Sequence, residues 1–464
     1  MDWNSIFSSA SVDSMVQILS SNLLTVLDKH APLKSRTFRR PPAPWITTEV
    51  REIMRSRDAA RRRFRRTRHP EDWEIFKRLR NQAQTKIRRS YEVHFTQAFS
   101  SAPDTKAKWS LLRKLNLCTS SSSSTSHSIS PDQLNAHFAS VSTCPNPTRV
   151  PNPNTFNSDS FYFSYITPSN LLSSISKSRT NAVGADGIPV KLIKLSLPVI
   201  FPILLHIYNF SLQNSTFPQA WKKALVHPFS KVHNPTSPAD FRPISILSNL
   251  SKPLERIVQS QVSTFLEASN ALDPLQSGFR PSFSTQSALT KISQDLFSAL
   301  DKQKITILVL LDFSKAFDTL DHSILLSKLQ SFSISHSALL WFQSFLSNRS
   351  QIVSVPHQPL SSPLPLTCGV AQGSSISPTL FCTYINDLPQ SIRYSSYHIY
   401  ADDSQIYLSF PPSQLSHACT LIQSDLDNIS AWADRNKLRL NPSKSKAIVI
   451  GSNLLLKSLP SVPN

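Results

Sequence analysis

Ile305-Thr306-Ile307-Leu308-Val309-Leu310-Leu311 is a near-continuous apolar run that stops abruptly at Asp312. A short run of this kind reads as a buried strand, so a carboxylate caps a core strand. Further along, Tyr400-Ala401-Asp402-Asp403 stands between the apolar runs His398-Ile399-Tyr400 and Ile406-Tyr407-Leu408. Two strands joined by a tight acidic turn push both carboxylates out at a hairpin tip, where they have no apolar partner. An acid pair in a turn is by itself ordinary turn chemistry. With a third acid at a strand end the reading changes. Hard divalent ions take oxygen ligands and bind through one or two carboxylates plus substrate phosphates. Asp312, Asp402 and Asp403 are therefore candidates to hold a pair of ions ~4 Å apart.

Glycine is scarce. The chain of 464 residues has six, at positions 184, 187, 278, 369, 373 and 451. Where backbone must take a positive φ or approach a ligand closely, glycine is the residue that serves. Gly369 and Gly373 fall in Gly369-Val370-Ala371-Gln372-Gly373-Ser374-Ser375-Ile376-Ser377-Pro378, a glycine-containing loop that opens a helix. Gly184 and Gly187 fall in Ala182–Pro189, and Gly278 in Gln276-Ser277-Gly278-Phe279-Arg280.

An excess of 49 Lys and Arg over 29 Asp and Glu, a formal +20, points to a polyanionic partner, with nucleic acid the best fit. No apolar run is expected to approach the ~18 residues that a membrane span requires. The start, Met1-Asp2-Trp3-Asn4, lacks the charged-then-apolar pattern of a signal peptide, so a nuclear and/or cytoplasmic protein is expected, not a secreted one. Cysteines at 118, 144, 368, 382 and 419 show no zinc-type spacing and read as reduced, buried apolar residues.

Three regions are expected. Residues 1–117 read as a basic helical connector. There, Thr47 to about Leu115 forms helices, and Phe64, Trp73, Phe76, Leu79 and Ile87 make packing stripes that leave arginines such as Arg61–Arg63 for solvent or phosphate. Residues 118–160, with the serine run Ser120–Ser124, read as a Ser/Pro-rich linker. Residues 161–464 read as an α+β unit in which strand Ile305–Leu311, helix Ser314–Leu329, helix Pro378–Asp387, hairpin His398–Leu408 and helix Leu415–Asn436 follow one another.

The order of these motifs resembles the reverse transcriptase of a non-LTR retrotransposon, a long interspersed element of the jockey-like kind. Leu311-Asp312-Phe313-Ser314-Lys315-Ala316-Phe317-Asp318 resembles the family's first palm motif, the Gly369–Pro378 loop the second, the acidic hairpin the next, and Asn436–Lys446 the fourth. Lys231 and Phe241-Arg242-Pro243-Ile244-Ser245 resemble the fingers motifs, and the Ala182–Pro189 block is similar to one that precedes the fingers in non-LTR enzymes. The resemblance covers nearly the whole chain, and its specific motifs lie between residues 184 and 446.

The resemblance implies RNA-directed DNA synthesis by two-metal nucleotidyl transfer, with Mg2+, or Mn2+, as cofactor. RNA template, DNA primer and deoxynucleoside triphosphates would be the partners. It implies that Asp312, Asp402, Asp403 and the Phe313 carbonyl hold the metals. Phe317 would act as a steric gate against the ribose 2′-hydroxyl; read bottom-up, it could equally be a helix residue on a face with Leu320 and Ile324. Gln372 and Gly373 would lie against template base and nucleotide, Lys231 and Arg242 would clamp the triphosphate, and Lys444, or Lys446, would protonate pyrophosphate. The implied fold is a right-hand polymerase with fingers and palm and an N-terminal basic helical extension, the thumb absent or incomplete and the frame truncated at both ends. The alternative reading is a catalytically silent nucleic-acid-binding remnant.

Overall fold

The computed structural model describes residues 3–32, 43–114, 129–143, 148–152, 160–457 and 459. It divides into two units, residues 1–32 with 127–464, and residues 33–126. Helices and strands are mixed throughout the larger unit, as the expected α+β class requires. The boundaries differ from those read in the sequence. Helix Val12–His30, expected in the basic region, buries Met15, Val16, Leu19 and Leu23 in the core of the larger unit. Its apolar face needs a partner that an arginine-rich helix does not offer.

Eight strands are described: β1 (Lys223–Ser230), β2 (Phe241–Ile246), β3 (Ile305–Leu311), β4 (Arg349–Val353), β5 (Leu364–Leu366), β6 (Ser396–Tyr400), β7 (Asp403–Phe410) and β8 (Lys446–Ile450). They form two sheets, ordered β2-β1-β4-β5 and β6-β7-β3-β8. In the second sheet every neighbour is antiparallel. The apolar run occupies a central strand there, which is why both its faces are apolar.

Register places the acids. Leu311 pairs with Ser404 and Tyr400 with Asp403. Asp312, the next residue, therefore comes level with Asp403 across the sheet. On the other side of β3 the chain 439–441 continues the pairing, with Ser314 N–H donating to Arg439 O at 2.8 Å and Asn441 N–H to Asp312 O at 2.8 Å.

The helix expected over Ser314–Leu329 is broken into Ala316–Thr319 and His322–Ser331. Leu320 is extended, at φ −55° and ψ 123°, and its carbonyl accepts from Gly369 N–H at 2.8 Å. The Asp321 carboxylate then restarts the helix by accepting from the backbone N–H groups of Ser323 and Ile324, the usual chemistry of an N-cap. The helix expected at Pro378–Asp387 runs Ser377–Ile385, and that at Leu415–Asn436 runs Leu415–Arg435.

Within the expected linker, Pro131–Val141 is a helix opened by a Ser130/Gln133 capping box. It packs Leu134 and Phe138 with Ala224, Val226, Phe241 and Val353 of the first sheet. Asn135 is fully buried: its amide donates to Ser361 Oγ at 3.0 Å and Ser362 O at 2.7 Å, and its oxygen accepts from Gln351 Nε2 at 2.9 Å. The polar composition that reads as a linker is here the chemistry of an anchored helix. The serine run Ser120–Ser124 lies outside the described residues.

Helix Val190–Gln213 is long and apolar enough to cross a membrane, contrary to the sequence expectation. Its Ile200, Ile203, Leu204, Ile207 and Tyr208 are buried in the core, with Tyr208 Oη donating to Leu250 O at 2.6 Å. The core accounts for that apolar face. Cys368 and Cys382 are buried thiols as expected, whereas Cys419 is exposed; Cys118 and Cys144 lie outside the described residues.

In the smaller unit, Thr48–Thr67 and Pro70–Ser100 form a helical hairpin, followed by Thr105–Lys114. Asp72 closes the hairpin: it is buried, accepts from Thr67 Oγ1 at 2.5 Å and pairs with Arg63 Nε at 2.9 Å. Phe64 packs on Trp73 and Trp73 on Phe76, while Arg61, Arg62, Arg65 and Arg66 face solvent.

Asn135→Ala strands the Gln351 amide in the larger unit, so stability should drop by roughly 1–3 kcal/mol in urea unfolding followed by tryptophan fluorescence. An unchanged midpoint would mean that the helix is not anchored through this residue.

Candidate active site

The β6–β7 hairpin closes through a two-residue turn, Ala401-Asp402. Ala401 sits at φ +55°, a left-handed conformation that costs a residue with a Cβ roughly 1–2 kcal/mol. Neighbouring chain holds it there. Ala401 N–H donates to Gln276 Oε1 at 3.1 Å, and Gly278 N–H donates to the same oxygen at 2.8 Å. Ser277 N–H donates to Ile399 O at 2.9 Å, and Ile399 N–H to Leu275 O at 3.0 Å. The segment 275–277 thus runs along the hairpin as a short ladder. At Gly278 the two backbones meet so closely that a Cβ would stand 2.3 Å from Ala401 N.

The turn and the end of β3 bring Asp312, Asp402 and Asp403 together. Burial raises the pKa of Asp403 above the ordinary carboxylate value, and the like charges of Asp402 and Asp312 raise it further, against the pull of Lys444. Asp312 Oδ2 is buried and accepts no hydrogen bond, and Lys444 Nζ stands 3.3 Å from it. Among the described residues no group of three His, Cys, Asp or Glu side chains is arranged to hold a metal ion unaided. An ion here would draw ligands from substrate oxygens and backbone carbonyls as well. A buried carboxylate oxygen that accepts no hydrogen bond and has only the Lys444 ammonium beside it, next to two further carboxylates, is a donor set that suits a hard divalent cation.

A cleft of about 530 Å³ opens beside the acids. Asp312, Phe313, Phe317, Gln372, Gly373, Asp402, Lys231, Arg242 and Lys444 all line it, so nine of the residues singled out in the sequence converge. Asp403 is exposed next to them. Lys446 is placed elsewhere, on β8 opposite Leu310, which leaves Lys444 as the lysine of that segment in the cleft.

Phe317 is half-exposed, and its ring stacks on Phe381 with centroids 4.4 Å apart and meets the edge of Phe279 at 6.3 Å. The helix break at Leu320 separates it from Ile324, so it does not share the continuous helical face that the spacing of apolar residues allowed. The Gln372-Gly373 loop is clamped on both sides. Gln372 Nε2 donates to Asp318 Oδ1 at 2.8 Å, Ser245 N–H donates to Gln372 O at 3.0 Å, and a Cβ on Gly373 would stand 2.2 Å from Ser245 O.

Sequence reasoning gave no role to Gln276, Glu255 or Asp318. Glu255 is fully buried on helix Ser251–Ala268 and accepts from Ser374 Oγ at 2.6 Å and Ser375 N–H at 3.0 Å, capping the turn that leads into helix Ser377–Ile385. Burial raises the Asp318 pKa while Gln372 and Lys315 hold it down. Gly278 was the available signal for the Gln276 brace. The Ala182–Pro189 block is not among the cleft-lining residues; its Asp186 accepts from Ser248 Oγ at 2.5 Å, and Asn249 Nδ2 donates to Ala182 O at 3.0 Å, bracing the chain after β2.

A strand-end acid thus stands level with an acidic hairpin tip and faces a glycine-bearing loop across a cleft. Residues 231–457 match the family described as reverse transcriptase (RNA-dependent DNA polymerase). Among curated proteins of Drosophila melanogaster, the chain is 32% identical over 251 residues to the probable RNA-directed DNA polymerase from transposon BS, covering 52% of this chain and 27% of that protein. It is 30% identical over 273 residues to the RNA-directed DNA polymerase from mobile element jockey, covering 57% and 29% respectively. It is 29% identical over 251 residues to the probable RNA-directed DNA polymerase from transposon X-element, covering 52% and 27%. Over these residues the chain is similar to the reverse transcriptases of jockey-like non-LTR elements, and its matches span 27% to 29% of the length of these three relatives.

Two outcomes follow from the geometry. Gly278→Ala must displace the acidic turn, so thermal unfolding should shift down; an unchanged melting temperature would contradict the close contact. Asp403 binds its proton more tightly folded than unfolded, so ionising it costs stability. In chelator, native stability should fall as pH rises from the unfolded carboxylate range through the elevated pKa of Asp403. Asp403→Asn should flatten that slope in denaturant titrations run across acidic pH.

Proposed function

We propose that the larger unit is an RNA-directed DNA polymerase that adds deoxynucleotides to a primer 3′-hydroxyl on an RNA template. The observation that carries this reading is the convergence of Asp312, Asp402 and Asp403 beside one cleft that also holds Phe317, Gln372 and Arg242. In this reading the sheet β6-β7-β3-β8 is the palm, and β2-β1-β4-β5 with its helices serves as fingers.

Bound Mg2+ or Mn2+ would activate the 3′-hydroxyl and neutralise charge on the leaving pyrophosphate. Asp312, Asp402 and Asp403 would hold the ions together with the Phe313 carbonyl. Lys444 pairs with Asp312, and in this reading its ammonium would give a proton to pyrophosphate. Arg242 presents a planar fork to phosphate oxygens, which suits bidentate capture, and Lys231 adds a point charge beside it. Phe317, held flat by Phe381, would leave no room for a 2′-hydroxyl. Gln372 and Gly373 present an amide and bare backbone to the base pair being formed.

Primer extension on an RNA template with magnesium and four deoxynucleotides tests the reading, run beside a chain carrying Asp402→Ala and Asp403→Ala. Extension by the native chain alone supports it. No extension by either, with RNA binding retained, would assign the silent remnant instead. Where extension is seen, Phe317→Ala should raise ribonucleotide use relative to deoxynucleotide use by roughly tenfold or more in single-nucleotide incorporation. An unchanged ratio would remove Phe317 as the gate.

A further inference from the structure

Helix Pro131–Val141 lies outside the matched residues 231–457, yet it forms a wall of the same cleft through His137, Phe138 and Val141. It is held there firmly, since Asn135 ties it to the strand and loop around Gln351 and Ser361, and Ser362 N–H donates to Asp132 Oδ1 at 2.8 Å. At its far end Ser142 Oγ donates to Asp318 O at 3.0 Å, and Ser142 O accepts from Thr367 N–H at 3.0 Å. The helix is thereby fastened to the same segment, 312–318, that carries Asp312 and Phe317. His137 is half-buried and points into the cleft with Nε2 3.3 Å from Lys315 Nζ.

We propose that His137, with Lys315, Lys231 and Arg242, forms a basic cradle for the polyphosphate of the incoming nucleoside triphosphate. The proposal rests on the polymerase reading above and adds to it a contact from outside the region that the family match covers.

The charges around His137 leave an anion as the missing partner. Facing it are Lys315, from the segment after β3, and Lys231, from the loop between β1 and β2; both lower its pKa, after burial. Around Lys231 stand Arg242 and Lys444, which act with burial to lower its pKa in turn, against Asp240 and Asp318. Asp318 lines the cleft beside Lys315, and each of these two acids already holds other hydrogen bonds. Asp240 Oδ2 accepts from the N–H groups of Thr236 and Ser237, and Asp318 Oδ1 accepts from the Gln372 amide. On the helix itself Asp132 is taken by Ser362. Burial likewise lowers the Lys315 pKa. Cations crowded into a cleft with their nearby acids already bonded form a site that a polyanion completes, and a polyanion bound there would drive His137 to its protonated form.

The test uses the full chain and two probes: inorganic tripolyphosphate in calorimetry without primer, and deoxynucleoside triphosphate in primer extension. His137→Ala should weaken tripolyphosphate binding and raise the KM for deoxynucleotide by roughly tenfold, the scale of one lost charge-assisted hydrogen bond, with kcat little changed. For the native chain the KM should rise as pH passes upward through the histidine range. His137→Lys, which keeps a charge, should restore affinity and flatten that rise. Tripolyphosphate binding that needs His137, in a chain that extends no primer, would support the cradle and count against the polymerase reading. Extension with KM and tripolyphosphate affinity unchanged in His137→Ala would overturn the cradle and leave the polymerase reading standing. A native chain that does not bind tripolyphosphate would overturn it as well.

Discussion

The cleft depends on one contact between backbones. Ala401 holds a left-handed conformation that its own side chain disfavours, and the chain at Gln276–Gly278 makes that conformation tolerable. The Gln276 side-chain oxygen takes the Ala401 N–H and the Gly278 N–H together, and only a residue without Cβ fits where Gly278 touches the turn. With the turn fixed, the register of β3 against β7 brings Asp312 level with Asp403. Strain at the turn, glycine at the brace and register in the sheet are one device. Each is a local cost that the surrounding packing offsets, and its product is three carboxylates in one place.

Charge is divided along the cleft. One end gathers acids, where burial and then their mutual repulsion raise the Asp403 pKa, and the rest carries Lys231, Arg242, Lys315 and Lys444. Lys444 joins the two ends, since its ammonium pairs with the Asp312 carboxylate. Asp312, the carboxylate that Lys444 engages, is one of the three that would hold a divalent ion in the proposed function. In the proposed function a substrate with a chain of phosphates would meet both halves at once; among the described residues no group of three His, Cys, Asp or Glu side chains is arranged to hold an ion unaided.

Much of this was legible in the sequence because the signals were local. The apolar run before Asp312 gave β3 to the residue, and the acid pair between apolar runs gave the β6–β7 hairpin to within two residues at each end. Scarcity of glycine pointed to backbone contacts at 278, 369 and 373, each of which leaves no space for a Cβ. What stayed hidden depends on distant partners. The break at Leu320 is made by Gly369 and by the capping of Asp321, neither of which disturbs the helical spacing of apolar residues. Helix Pro131–Val141 reads as linker because Asn135 and its serine partners are polar, and only the fold reveals that they are buried together. Helix Val190–Gln213 buries one apolar face in the core while Leu195 and Val199 stay exposed, and its length and composition are also those of a membrane span.

The most direct measurement of the central claim is a Mn2+ titration of the full chain, followed by electron paramagnetic resonance in the presence of deoxynucleoside triphosphate. The same titration is run on the chain carrying Asp402→Asn and Asp403→Asn. Two protein-dependent ions per native chain, lost in the variant, is the result that paired strand-end carboxylates predict. Equal binding by the two chains would contradict it, because the acids that the fold goes to such lengths to assemble would then hold nothing.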